Sequence, residues 1–362
     1  MNEEKQMILE MLKEGKINVE EASELLEAVG SDKRNDEAGF IDKLSSSLEK
    51  VIKKTSETIS NIDFDSMTNP NNIYHINSVS VENETKIEDE VKEIDVNLIN
   101  GDVKIERAQD NFILVKEKVY FKEKTEEVSD YLLINVEEGV LSIKVNPEYK
   151  NYHASANLKI ALGSNIYDEL NLNSVNGEVE VGGVDFKETF LESVNGRISL
   201  GNTDGDVSIK NVNGKIEIKN TNGSLDVDNV NGSVNLSNVS GPEANVSAVN
   251  GSVRVDGINS KELSVNSQSG SIRVGKLLGI SEISLNSGFG TLIVDTEDYD
   301  GDISAIIKST NHSISEKFKN KIQRKEGYQI STDPEKTDLS MDLKSGFGKI
   351  CLLYTSPSPR DR

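Results

Sequence analysis

From residue 170 onward one short motif returns every 18 or 19 residues: SVNGEVEV, SVNGRISL, NVNGKIEI, NVNGSVNL and AVNGSVRV. Its glycines are Gly177, Gly196, Gly214, Gly232 and Gly251. A unit this short cannot bury an apolar face alone, so neighbouring units must stack and share a continuous core. The series continues more loosely at Gly270 (QSGSIRV) and Gly290 (SGFGTLIV) and resumes in SGFGKI at 345–350.

The columns within the repeat indicate how each unit folds. Two and four residues after each main glycine the side chain is apolar, as in Val179 and Val181, Ile198 and Leu200, or Ile216 and Ile218. The residue between them is usually polar, which is the period-two pattern of a strand with one wet face. Val175, Val194, Val212, Val230 and Val249, two before the glycines, form a second apolar column. Half-period turns fall at Gly205, Gly223 and Gly241. Asn-Gly suits a tight corner because both residues tolerate positive φ. Asn176, Asn195, Asn213, Asn231 and Asn250 are therefore expected to line one corner and to hydrogen-bond along the stack as an amide ladder. The expected fold is mainly β: a single-stranded β-solenoid of 18–19-residue turns, rising ~4.8 Å per turn.

Other parts of the chain read differently. Residues 1–30 carry helical periodicity in Met7, Ile8, Met11 and Leu12, a break at Gly15, and a second run in Ala22, Leu25, Leu26 and Val29. They read as a small helical hairpin. Residues 31–85 read as a linker holding an amphipathic helix at 40–59, with Phe40, Ile41, Leu44, Leu48, Val51 and Ile52 on one side and Lys43, Lys50, Lys53 and Lys54 on the other. That helix could touch a membrane surface or pack on a neighbour. The solenoid is expected over 86–350, truncated at its C-terminal side. The last twelve residues, CLLYTSPSPRDR (351–362), break the pattern and look like a reading frame of a sequencing adaptor, so they are set aside from fold reasoning.

Composition narrows the function. The net charge of −22 opposes binding to nucleic-acid phosphates. Cys351 is the only cysteine, so the repeats hold no disulfide and no thiolate metal site. The opening MNEEKQMILEMLKEGK has acids where a secretory signal has bases, which points to the cytoplasm by default.

The opening thirty residues resemble the SHOCT-like helical hairpin of bacterial YvlB and LiaX-like proteins. The stretch from LKIALGSNIYDELNLNSVNGEVEV onward resembles the "putative adhesin", or toastrack, β-strand-repeat domain of the same proteins. The resemblance implies a link to the cell-envelope stress response, protein partners that include membrane-associated signalling proteins, and surface exposure without a signal peptide. Separately, the two short helices of 1–30 need each other, a partner helix or self-association to bury their apolar faces. It implies no catalytic residues.

The residues suggest no catalysis either. His75, His153 and His312 are far apart, in linker or loop contexts, and no nucleophile elbow or phosphate loop occurs. Asp204 with Asp206 and Asp226 with Asp228 are the carboxylate pairs a glycan-cleaving β-helix would need, but no Trp accompanies them. The run DTEDYDGD (295–302) has oxygen ligands without the spacing of a calcium loop and reads as a solvated acidic turn. No catalytic, cofactor or metal residue is therefore assigned. The expected function is a non-enzymatic interaction or scaffold protein, with a surface adhesin or glycan-binding protein as the alternative. The residues singled out, Asn176/Gly177, Asn195/Gly196, Asn213/Gly214, Asn231/Gly232 and Asn250/Gly251, are structural.

Overall fold

The computed structural model of the chain describes residues 79–354, apart from 109–111, 122–129, 150–153, 310, 319 and 325–326. The hairpin expected at 1–30 and the helix at 40–59 lie outside the described residues. So do His75 and His153.

The described residues form a mainly β stack, as the period requires. Its 25 strands join one hydrogen-bonded system. Two sheets face each other across the core. In the first, Tyr167–Asn176, Phe186–Asn195, Asp206–Asn213 and Leu225–Asn231 lie parallel and in register, so that Asn176, Asn195, Asn213 and Asn231 are successive partners. In the second, Val179–Gly182, Ile198–Asp204 and Ile216–Asn222 do the same on the far side of the glycine corner. The strands Val234–Asn250 and Val253–Ser269 run from one sheet to the other around the half-period corner.

The core is filled as the columns predict. Val179, Val181, Ile198, Leu200, Ile216, Ile218, Val234 and Leu236 are all buried in one continuous cluster. The valines two before the glycines do not belong to it. Val175, Val230 and Val249 are buried but lie outside that cluster, and Val194 and Val212 are half-buried. Strand alternation explains the difference. The inward position belongs to the residue before each valine: Ser174, Ser193, Asn211 and Asn229, all buried. The valines therefore lie on the opposite side of the strand, at the corner.

Chain order and stacking order agree in the middle and exchange at both ends. Glu93–Asn100 and Val103–Arg107 form a rung that pairs inward with Tyr167–Asn176 and Val179–Gly182, and outward with the later strands Val140–Val145 and Ala154–Leu162. Antiparallel strands finish this end: Ile113–Phe121 with Val79–Ile87, and Leu132–Glu137. The strand Val79–Ile87 falls within the span expected as linker, so the β region starts earlier than residue 86. At the other end Leu339–Ser345 and Lys349–Leu353 insert between Glu282–Ser287/Leu292–Asp295 and Ile303–Lys308/Asn311–Ile314. Gly327–Ser331 and Asn320–Arg324 then close the first sheet antiparallel.

Two expectations change here. Cys351–Leu353 cannot be set aside with the rest of 351–362, because they complete an interior rung and Leu352 is fully buried. Leu352 stands four residues after Gly348 and so obeys the column rule. The run 295–302 is not simply a solvated turn: Thr296 is fully buried and donates to the Leu353 carbonyl at 3.0 Å.

Candidate interaction faces

Each glycine of the Asn-Gly corner sits against the glycine one rung before it. A Cβ added to Gly196 would lie 1.8 Å from the Gly177 carbonyl oxygen, and one added to Gly251 1.7 Å from that of Gly232. Close backbone stacking excludes any side chain here, whatever the local φ. Gly177, Gly214 and Gly232 meet the same obstacle at 2.0, 1.8 and 2.1 Å.

The asparagines beside them make an amide ladder. Asn195 Nδ2 donates to Asn176 Oδ1 at 2.9 Å, Asn213 to Asn195 at 2.9 Å, Asn231 to Asn213 at 2.9 Å and Asn250 to Asn231 at 3.2 Å. The ladder extends one member beyond the repeat, because Asn176 donates to Asn100 at 2.9 Å. All donors point the same way, so the amides polarise one another.

Two other sets were missed from sequence. Asn202, Asn220 and Asn238 adopt φ of 54°, 52° and 53° and form a second ladder at the opposite corner, with bonds of 2.9 and 3.0 Å. They stand three before Gly205, Gly223 and Gly241, and that fixed offset was the available signal. The second set is the buried polar column under the Asn-Gly corner. Asn211 Nδ2 donates to the Gly196 carbonyl at 2.9 Å, Asn229 to that of Gly232 at 3.1 Å, and Ser287 Oγ to that of Gly270 at 3.2 Å. These side chains satisfy corner carbonyls that no strand can reach.

The outward side of the first sheet carries chemistry in rows. Glu93, Glu169, Glu188 and Asp206 are successive register partners, and Glu243, Glu262 and Glu282 resume the row after Ser224. Beside them run hydroxyls and amides such as Asn245, Ser264 and Ser284, then Ser247, Asn266 and Asn286. Near the middle, Glu188, Phe190, Asp206, Ser208, Asp226, Glu243 and Asn245 border a shallow depression of about 320 Å³. Desolvation raises the carboxyls of Asp226, in the depression, and of Asp228, outside it, above the usual range, and the Asp226 charge raises Asp228 further. The two suspected carboxylate pairs do not form one constellation. Asp206 and Asp226 share the depression, whereas Asp204 sits on the corner, where its amide donates to Asp185 Oδ1 at 3.1 Å. Among the described residues no group of three or more His, Cys, Asp and Glu side chains could hold a metal ion.

His312 is not in a loop. It lies in Asn311–Ile314, with its ring 5.0 Å from that of Tyr328 and Nε2 3.2 Å from Lys321 Nζ. Among the described residues no helix is long and apolar enough to cross a membrane.

A family model described as Toastrack DUF4097 matches residues 47–237 and 222–328, well over half of the chain. The chain belongs to the Toastrack DUF4097 family. A SHOCT-like domain model matches residues 3–34, where the helical hairpin was expected. The chain is similar to a solved "putative adhesin" from Parabacteroides distasonis at 13% identity, covering 76% of this chain and 98% of that one with a TM-score of 0.42. A "putative adhesin" from Parabacteroides merdae matches at 12% identity, covering 76% and 97%, with a TM-score of 0.45. No curated protein matches the toastrack chain significantly.

Proposed function

We propose that this toastrack protein is a non-enzymatic interaction scaffold of the bacterial cell-envelope stress response. The N-terminal SHOCT-like hairpin docks a protein partner, and the solenoid is the display surface. The observation that carries this reading is the outward side of the first sheet, where one chemistry is repeated rung after rung instead of converging on a cleft. Such rows suit an extended contact. Family membership and the acidic balance support the same reading. Affinity capture with the full chain, from stressed and unstressed cells, is the test. Recovery of a membrane signalling protein that is lost with Leu25→Asp supports it, and no such partner in either condition rejects it.

A surface adhesin or glycan-binding protein is the second reading. It is favoured by the amide and hydroxyl rows at Asn245, Ser264 and Ser284 and at Ser247, Asn266 and Asn286, which can match sugar hydroxyls. It requires exposure outside the cell. Protease treatment of intact cells separates the two readings, since a cytoplasmic scaffold is protected.

A further inference from the structure

The charge of the stack is not uniform along its length. The acidic row of the first sheet ends at Glu282, whose register partners toward the C-terminal end are Ser340, Ser304, Ser331 and finally Asn320. Four strand steps of ~4.8 Å put roughly 19 Å between Glu282 and the last strand, Asn320–Arg324. That exceeds the Debye length of about 8–10 Å at physiological salt, so the last strand is largely screened from the acidic row. The sequence there reverses sign: KFKNKIQRK (317–325) contains Lys317, Lys319, Lys321, Arg324 and Lys325 and no acid.

The described cations of this segment meet neutral partners. Lys317 lies 4.1 Å from the Tyr354 ring centroid, and Lys321 lies 3.9 Å from that of Tyr328. Arg324 Nε donates to Gln329 Oε1 at 3.0 Å. Their charge is held in place but not cancelled. Next to them are exposed apolar side chains. Ile306 and Ile322 flank Gln329 in register and are 39% and 53% exposed. Among the described residues no strand pairs with the outer edge of Asn320–Arg324.

We propose that this end of the stack docks on an anionic lipid bilayer, with Lys317, Lys321 and Arg324 on the headgroups and Ile322 at their boundary with the acyl chains. Cations alone would suit any polyanion. The exposed isoleucines select the bilayer, since only there does apolar surface leave water as the charges are matched. The acidic row of the first sheet, beyond a Debye length, does not oppose the approach. Asp333 is an acid that borders the same depression as Lys321 and Ile322.

Vesicle sedimentation with the full chain tests this. The chain is expected to bind vesicles of equal parts phosphatidylglycerol and phosphatidylcholine, to ignore pure phosphatidylcholine, and to detach as salt rises. The triple variant Lys317→Gln, Lys321→Gln, Arg324→Gln should bind about 100-fold more weakly, at ~1 kcal/mol per cation. Ile322→Ser, at an exposed position, should bind roughly fivefold more weakly. If the triple variant loses its fold, Lys317→Gln combined with Ile322→Ser carries the same test. Three results overturn the proposal: no binding to anionic vesicles, binding unchanged by these variants, or binding abolished by Leu48→Asp while the triple variant still binds. Inorganic polyphosphate binding that matches vesicle binding and ignores Ile322→Ser would identify a soluble polyanion and also overturn it.

Discussion

The middle of the stack and its two ends follow different rules. In the middle, consecutive units stack consecutively, each glycine touches the next, and the Asn195, Asn213 and Asn231 amides each find a partner above and below. At the ends a unit has one neighbour only. There the chain exchanges the order of its rungs, adds antiparallel strands, and places ionisable side chains on inward positions: Glu117 at one end, His312 at the other. Repetition specifies a structure only where both neighbours repeat. An end must instead close a core and blunt an open strand edge, and no internal repeat can encode that.

A single glycine in each region should separate the two rules most clearly. In Gly196→Ala the new Cβ meets the Gly177 backbone at 1.8 Å in the preceding rung, and the backbone cannot move without breaking the ladder. At least about 3 kcal/mol of stability should be lost. Gly139 turns the end hairpin with φ +82°, and its nearest obstacle is 3.8 Å away. Gly139→Ala should cost only the local strain, about 1 kcal/mol. Urea unfolding followed by circular dichroism measures both, and equal losses would break the comparison. The amide ladder gives a finer version. Asn213→Ala removes two ladder bonds and Asn250→Ala one, so losses of about 2 and 1 kcal/mol are expected. An Asn250 loss as large as that of Asn213 would mean that the ladder does not act bond by bond.

The same contrast explains what could be read from the sequence. The period, the corner glycines, the inward columns and the amide ladder all repeat, and each was legible. Val175 and its equivalents were read as a core column because they are apolar and periodic. Alternation instead gives the inward place to Ser174, Ser193 and Asn211. Asn211 bonds the Gly196 carbonyl, a partner that sequence does not display, while the two serine hydroxyls are buried without a hydrogen-bond partner. Asn202, Asn220 and Asn238 repeat as faithfully as the first ladder, yet polar residues ahead of a glycine look like ordinary turn filler until their positive φ is seen. The exchange of rungs at the ends left no mark in the pattern. Leu352 obeys the column rule inside a segment that otherwise looks foreign, so composition and periodicity disagreed there and periodicity identified the fold position. The rows of the outward face were visible only as polar alternation, because register decides which carboxylates become neighbours.

Glu117 gives the most local test of the end rule. It points inward between Val115 and Val119, is 5% exposed, and accepts from Asn83 Nδ2 at 2.6 Å through one oxygen, while the other is buried without a hydrogen-bond partner. Burial raises its carboxyl above the usual range, and the Asn83 bond only partly opposes this. The folded end therefore holds the proton more tightly than the unfolded chain does. This contribution to stability is fully present below the ordinary carboxyl value of ~4.3 and is lost as pH rises through the folded value. At pH 7 the ionised group burdens the strand pair Val79–Ile87 with Ile113–Phe121. Glu117→Gln retains an acceptor for Asn83 and carries no charge. It should be about 1 kcal/mol more stable at pH 7 and lose this advantage below pH ~4. Amide exchange along Val79–Ile87 is the measurement that reports this end alone. If wild type and Glu117→Gln show the same pH dependence there, the inward acid is not what limits the end. If the pH-dependent protection appears equally in Phe186–Asn195, the ends do not open independently of the middle.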